Sequence, residues 1–246
     1  MDLTTIENLN IDRVLRRGTA QIIEEADDAI LLKDTVSKAL MLACDDVVKG
    51  IEILERNNDG AKPLMMISNA ELGRMVADRF GYENIMECYQ MAYLSKEPPK
   101  PEKMDDCEKV EINSSTKSNS AQFDGILEYR LATMEDFPFI SREYGLVSED
   151  ELKELIERGN IIIGYENGSP VGFIGEHMEG SVGLLQVLQE HRRKGYGTAL
   201  EIEMIRRTLE KGDIPFGQVV VGNTASLELQ KKLGLTKSEG TIYWMW

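Results

Sequence analysis

Residues 184–198 read Leu-Leu-Gln-Val-Leu-Gln-Glu-His-Arg-Arg-Lys-Gly-Tyr-Gly-Thr. An apolar strand passes through a basic, glycine-bearing turn and opens a helix. This order constrains the fold strongly, because a buried strand followed at once by a packed helix belongs to a layered α/β architecture. It also describes an anion cradle. The first N–H groups of a helix have no intrahelical partner, and their partial positive charge favours phosphate. Gly195 and Gly197 let phosphate oxygens reach the backbone, and Arg192, Arg193 and Lys194 add mobile positive charge at the rim. A pyrophosphate suits such a site. The turn is not a P-loop, since G-x-x-x-x-G-K-[ST] is absent, and it has only two of the three glycines of the dinucleotide fingerprint.

The surroundings extend the pattern. Tyr129–Ala132 predicts a first strand, and Ser148 with Glu151 three residues on predicts a helix start carrying Leu152, Leu155 and Ile156. Ile161–Tyr165 and Val171–Ile174 flank Asn167-Gly168, a favoured hairpin pair. Val182–Leu188 is the next strand. A helix then runs from the Gly195–Thr198 region to Glu210, with Leu200, Met204 and Ile205 on one face and Gly212 as its stop. Phe216–Val221 predicts a buried strand, Asn223–Leu233 a short helix ended by Gly234, and Ile242–Trp246 a final strand. The order is β-α-β-β-β-α-β-α-β.

Residues 95–124 differ in kind. Prolines, lysines, serines and asparagines dominate, and such a segment buries too little surface to offset its ordering entropy. It divides the chain into an N-terminal α/β domain (1–94), a linker (95–124) and a C-terminal domain (125–246). The N-terminal part echoes the C-terminal one. Ile30–Thr35 followed by Ala39–Ala43 resembles the hairpin around Asn167. Leu64–Asn69 with a helix ending at Gly81 resembles Val219–Asn223 with a helix ending at Gly234, and both lead to strands bearing aromatic residues, Tyr89–Tyr93 and Tyr243–Trp246. A degenerate repeat and a coincidence of common units both fit.

Composition excludes several classes. The 246 residues are 42% hydrophobic and 29% charged, as in an ordinary soluble globular protein. The net charge of −15 disfavours nucleic acid, while one basic loop still attracts an anion at contact distance. Three widely spaced cysteines and two histidines indicate no metal site. No apolar run approaches the roughly 20 residues of a membrane helix, and the acidic start lacks signal-peptide character, so a cytoplasmic protein without membrane attachment is expected.

Taken together, the residues resemble the GNAT acyltransferase superfamily. Its coenzyme A signature Q/R-x-x-G-x-G/A falls on Arg192, Gly195 and Gly197. The approach V-x-P-E-Y is similar to Val187–His191, with Gln189 in place of Pro. N-x-x-S falls on Asn223 and Ser226, and the K-L-G-F ending on Lys232–Leu235. The resemblance covers residues 126–246 and is nearest to glycine N-acyltransferase-like bacterial members. It implies a GNAT-type mixed, mostly antiparallel twisted sheet flanked by helices, preceded by a smaller α/β domain. It also implies acyl transfer from acetyl-CoA or another acyl-CoA, without a metal, to the primary amine of a small-molecule acceptor, by a monomer or homodimer. The implied cofactor residues are Val187 and Leu188 along the pantetheine arm, Arg192, Arg193, Lys194, Gly195, Tyr196, Gly197 and Thr198 at the pyrophosphate, and Asn223 and Ser226 downstream.

The proton chemistry is less defined. Many GNAT members place Tyr seven residues after the Asn, as acid for the departing thiolate. Here that residue is Gln230, which cannot serve. Tyr243 is one substitute, and a core tyrosine the alternative. His177 and Glu179, on one face of an extended strand end, are candidates for the base, and a solvated turn is the alternative. Two rival functions stand beside transfer. One is a catalytically poor acyl-CoA-binding sensor or regulatory protein. The other is a nucleotide-binding domain, for which no convincing acidic Mg²⁺ ligand and phosphate-binding Lys are found.

Overall fold

The computed structural model describes residues 2–99 and 127–246. Most of the expected linker, with Cys107, lies outside these residues. The N-terminal half contains α1 (Leu9–Arg16), β1 (Ala20–Ala26), β2 (Ala29–Asp34), β3 (Leu40–Cys44), α2 (Val47–Arg56), β4 (Met65–Ile67), α3 (Ala70–Phe80) and β5 (Ile85–Ala92). The C-terminal half contains β6 (Glu128–Leu131), α4 (Phe137–Glu143), α5 (Glu149–Glu157), β7 (Ile161–Glu166), β8 (Ser169–Glu176), β9 (Val182–Val187), α6 (Tyr196–Glu210), β10 (Phe216–Val220), α7 (Thr224–Lys232), β11 (Thr236–Lys237) and β12 (Ile242–Met245).

Local chemistry sets many of these boundaries. Asn167 and Gly168 take positive φ of 51° and 79°, and this turn closes the β7–β8 hairpin at the Glu166–Ser169 pair. Ser148 accepts from the Glu151 N–H and starts α5. Asn69 and Asn223 cap α3 and α7 in the same way. Gly81 ends α3 in the left-handed conformation.

The described strands form one mixed sheet in the order β1-β2-β3-β4-β12-β5-β10-β9-β8-β7-β6, with β11 pairing to β5. Only β3–β4 and β9–β10 are parallel. The expected mixed, mostly antiparallel sheet flanked by helices is therefore present. The succession β1-β2-β3-α2-β4-α3-β5 repeats as β7-β8-β9-α6-β10-α7-β12, and each copy keeps the same sheet order from edge to centre. At the centre the last strands trade places. β5 pairs with β10 of the other half, and β12 pairs with β4.

One detail of the expected echo changes. The counterpart of the hairpin around Asn167 is β1–β2, turning at Asp27-Asp28, and β2–β3 corresponds to β8–β9. The strand β1 was not foreseen because Glu24 and Glu25 interrupt its apolar run and most of its side chains are exposed.

Helices cover both faces. On one face α2 and α3 pack with Leu31, Leu42, Met65 and Ile67, and α6 packs on Ile162 and Ile174. On the other, α1 covers Ile30, Met41 and Met66, while α4 and α5 cover Ile161, Ile163 and Phe173. A buried ionic joint fastens the halves. Arg13 of α1 donates to the carbonyls of Gly180 and Ile214 at 2.9 and 2.5 Å and lies 3.9 Å from Glu176. Glu176 also accepts from Thr208 of α6 and from Lys211 just beyond its end at 3.2 and 2.9 Å.

Candidate functional site

The site begins where β9 and β10 part. They are paired at Val182–Gly217 alone, while β10 follows β5 along its whole length, from Phe216–Ala92 to Val220–Cys88. The opening is a cleft of about 500 Å³, lined along one side by Leu185, Gln186 and Val187 and along the other by Asn223, Ala225, Ser226 and Leu229. Its mouth is formed by His191, Arg192, Arg193, Gly195, Tyr196, Gly197 and Thr198. Nine of the eleven expected cofactor residues thus meet in one cleft. Lys194 and Leu188 do not line it. The Leu188 N–H is spent on the Val171 carbonyl of β8 at 3.0 Å, which makes it unavailable to a ligand arm.

The turn before α6 is shaped for an anion. Arg193 has φ 61° and Gly195 φ 87°, left-handed conformations of the kind that anion-binding turns use. Asp46, Asn69, Ser148 and Asn223 cap α2, α3, α5 and α7 with their side chains, whereas α6, like α1 and α4, has no side-chain cap and starts at a glycine, Gly195. The start of α6 thus faces the cleft with its helix charge exposed. Arg192, Arg193 and Lys194 are exposed beside it. The Nδ1 atom of His191, whose ring meets Tyr196 edge-on at 5.6 Å, is enclosed without a partner among the described residues. An uncapped helix start with glycines and with guanidinium groups beside it fits a diphosphate.

Strand β9 carries a bulge that was not foreseen. Leu184 and Leu185 together oppose Ile174 of β8, and Leu184 takes φ 51°. The bulge flips the alternation. Leu184 faces the α4–α5 core, while Val182, Leu185 and Val187 face α6. The doubled leucine in Val-Gly-Leu-Leu-Gln-Val is the sequence trace of that slip. The extra residue leaves the β8–β9 ladder locally unpaired, close to the point where the strands part.

Of the expected catalytic residues, two are near this bulge and one is not. His177 lies in the turn after β8, and its Nε2 is so close to Gly183 that a β-carbon there would sit 2.5 Å away. Glu179 is buried in the same turn and accepts from Ser181 Oγ at 2.5 Å. Glu151 of α5, which the sequence pattern marks only as part of the helix start, feels the charges of both. Burial pushes its carboxyl up, and His177 opposes that rise. Tyr243 is elsewhere. It sits on β12, separated from β10 by β5, in the core under α3, where its hydroxyl accepts from Arg74 at 3.0 Å and donates to Glu87 at 2.9 Å. This position suits the core-tyrosine alternative, not proton delivery to the cleft.

Gln230 points from α7 to Glu201 of α6 and donates to its carboxylate, while its own Oε1 is enclosed without a partner among the described residues. Burial pushes the Glu201 carboxyl up to about 7. The corresponding place in the N-terminal half is built differently. There β3 and β4 remain paired from Leu40–Met65 to Leu42–Ile67, and Ser68 N–H continues the ladder to the Leu42 carbonyl. The turn into α2 is Asp45-Asp46, with Asp46 capping the helix. A pocket lined by Cys44, Asp45, Ser68, Asn69 and Ala70 lies beside this turn, and no lysine or arginine lines it. Among the described residues there is no carboxylate, cysteine or histidine cluster suited to a metal, and no helix long and apolar enough to cross a membrane.

Residues 164–245, from within β7 to the end of β12, match the family of FR47-like proteins. No curated protein sequence matches the chain. The fold is shared with a Drosophila protein at TM-score 0.62 and 17% identity, over 98% of this chain and 88% of that one. It is shared with a GNAT-family putative acetyltransferase from Novosphingobium aromaticivorans at 0.54 and 11%, over 98% and 97%. A GCN5-related N-acetyltransferase from Kribbella flavida aligns at 0.55 and 13%, over 98% and 93%. At these identities the likeness is one of fold.

Proposed function

We propose that this protein is a GNAT acyltransferase that moves an acetyl or other acyl group from acyl-CoA to the primary amine of a small-molecule acceptor. The observation that carries this reading is the parting of β10 from β9 over the uncapped, glycine-started helix α6. Its motifs resemble most those of glycine N-acyltransferase-like bacterial members. The N-terminal half, with its paired strands and acidic turn, is read as a degenerate copy that caps the catalytic half.

In this reading the N–H groups around Gly195, Gly197 and Thr198, with Arg192 and Arg193, hold the pyrophosphate. The free edge of β9 at Val187 pairs with the pantetheine arm as an added strand would. Bound acyl-CoA supplies an activated thioester carbonyl near the bulge. A main-chain N–H of Leu184–Leu185, released from the β8 ladder, stabilises the negative charge that develops on that oxygen. His177, beside the same stretch, removes a proton from the acceptor amine, and Glu179 and Glu151 provide a negative surrounding that suits an incoming ammonium group. Gln230 lacks an acidic proton, so the thiolate leaves without an acid from α7. A free thiol of pKa about 8.5 makes this feasible.

The test is turnover. Purified protein with acetyl-CoA and a panel of primary amines, followed by mass spectrometry, is expected to yield an amide and free CoA in equal amounts. Binding of acetyl-CoA with no CoA release across the panel and a metabolite extract would contradict transfer.

A further inference from the structure

The free edge of β9 is already engaged by a residue of the cradle. Leu188 turns its N–H to β8, so strand alternation turns the main chain of Val187 to the opposite edge, which lines the cleft. There the Val187 carbonyl accepts from Arg192 Nε at 3.1 Å. Arg192 is exposed and forms no ion pair among the described residues, so a change of side-chain rotamer releases it. One guanidinium therefore serves two places, the strand edge and the anion cradle beside it.

We propose that Arg192 sets the selectivity of the cleft by making access to the Val187 edge conditional on a diphosphate. This rests on the reading of the cleft as a coenzyme A site. Without phosphate, Arg192 covers the carbonyl that an incoming pantetheine amide needs. A ligand carrying a diphosphate draws the guanidinium away, because a guanidinium–phosphate contact joins two opposite charges and can be bidentate, whereas the bond to the carbonyl has one charged partner and one donor. A phosphate-free pantetheine thioester must displace Arg192 with nothing in return. The cleft thereby discriminates against short pantetheine compounds that carry the same reactive end.

Calorimetric titration of the whole chain with CoA, 3′,5′-ADP and pantetheine tests this, with Arg192→Ala and Arg192→Gln alongside wild type. The Gln amide nitrogen sits at the same chain position as Arg Nε, so it keeps the cover and loses the charge. Arg192→Ala is expected to bind pantetheine about fivefold more tightly, the worth of one net hydrogen bond, and CoA and 3′,5′-ADP at least about tenfold more weakly. Arg192→Gln should bind all three no better than wild type. Pantetheine affinity that is unchanged or weaker in Arg192→Ala, with wild type binding CoA, would overturn the selectivity role alone. Failure of wild type to bind CoA at all would overturn the coenzyme A reading on which it stands. Equal melting midpoints for the three proteins ensure that the affinities report on the cleft.

Discussion

The imidazole of His177 lies against the backbone of Gly183, so near that the smallest side chain at that glycine would meet Nε2 at 2.5 Å. Gly183 directly precedes the bulge at Leu184, and Val182 before it marks the parting of β9 from β10. The pair therefore joins the one nearby imidazole to the stretch of strand at which the proposed acyl transfer takes place. Replacing His177 with Ala is expected to lower the turnover number at neutral pH by about a hundredfold, the usual worth of a positioned base, with CoA affinity unchanged. Gly183→Ala should push the ring aside and reproduce part of that loss. Rates measured across pH 5–9, with CoA affinity measured separately, check both. A wild-type rate in His177→Ala would return His177 to a polar turn residue.

Glu201 gives the fold a pH dependence of unusual sign. Its carboxyl is raised to about 7 by burial, against a reference near 4.5, and the Gln230 hydrogen bond opposes that rise. Between those two values the folded state holds a proton that the unfolded state has lost. The contribution of this residue to stability is therefore greatest below about pH 4.5 and falls as pH rises to about 7, by roughly 3 kcal/mol in all if no relaxation intervenes. Glu201→Gln should remove this slope and raise stability at pH 8, since a neutral amide can also satisfy the buried Gln230 Oε1. Urea unfolding at pH 5 and pH 8 for both proteins measures the difference. Identical slopes would show that Glu201 reaches water in solution.

Tyr243 separates a structural from a catalytic tyrosine. Its hydroxyl links Arg74 and Glu87, and the Thr241 and Tyr243 hydroxyls help hold the Glu87 carboxyl below its usual range. Tyr243→Phe is expected to cost about 1 kcal/mol of stability for the lost hydrogen bonds. Turnover with acetyl-CoA should be unaffected below the melting range. A large drop in rate with an unchanged melting midpoint would place Tyr243 in the reaction.

Much of the architecture was legible because it is local. The Asn167-Gly168 turn, the Ser148 and Asn223 caps and the glycine-started helix α6 each follow from the preferences of a few neighbouring residues. The exchange of β5 and β12 was not legible. Both are apolar strands suited to any central position, and no short-range signal tells a strand which half to join. That exchange also removes Tyr243 from the cleft, so the misplacement of one residue came from a long-range pairing. The polar strand β1 hid behind its glutamates. The bulge in β9 left a readable trace, the doubled Leu184-Leu185, whose break in alternation is recognisable only once the strand's two neighbouring layers are known.

The account stands most directly on the cradle at Gly195. Titration calorimetry of CoA into wild type, Gly195→Val and Gly212→Val provides the measurement. Both glycines have positive φ, 87° and 80°, so both substitutions carry a similar backbone strain of about 1–2 kcal/mol. Gly212 lies beyond the far end of α6, where an added β-carbon meets open space. Saturable one-to-one binding by wild type and Gly212→Val, with at least a hundredfold loss in Gly195→Val, is the result expected. Equal CoA affinity in all three proteins would contradict the site.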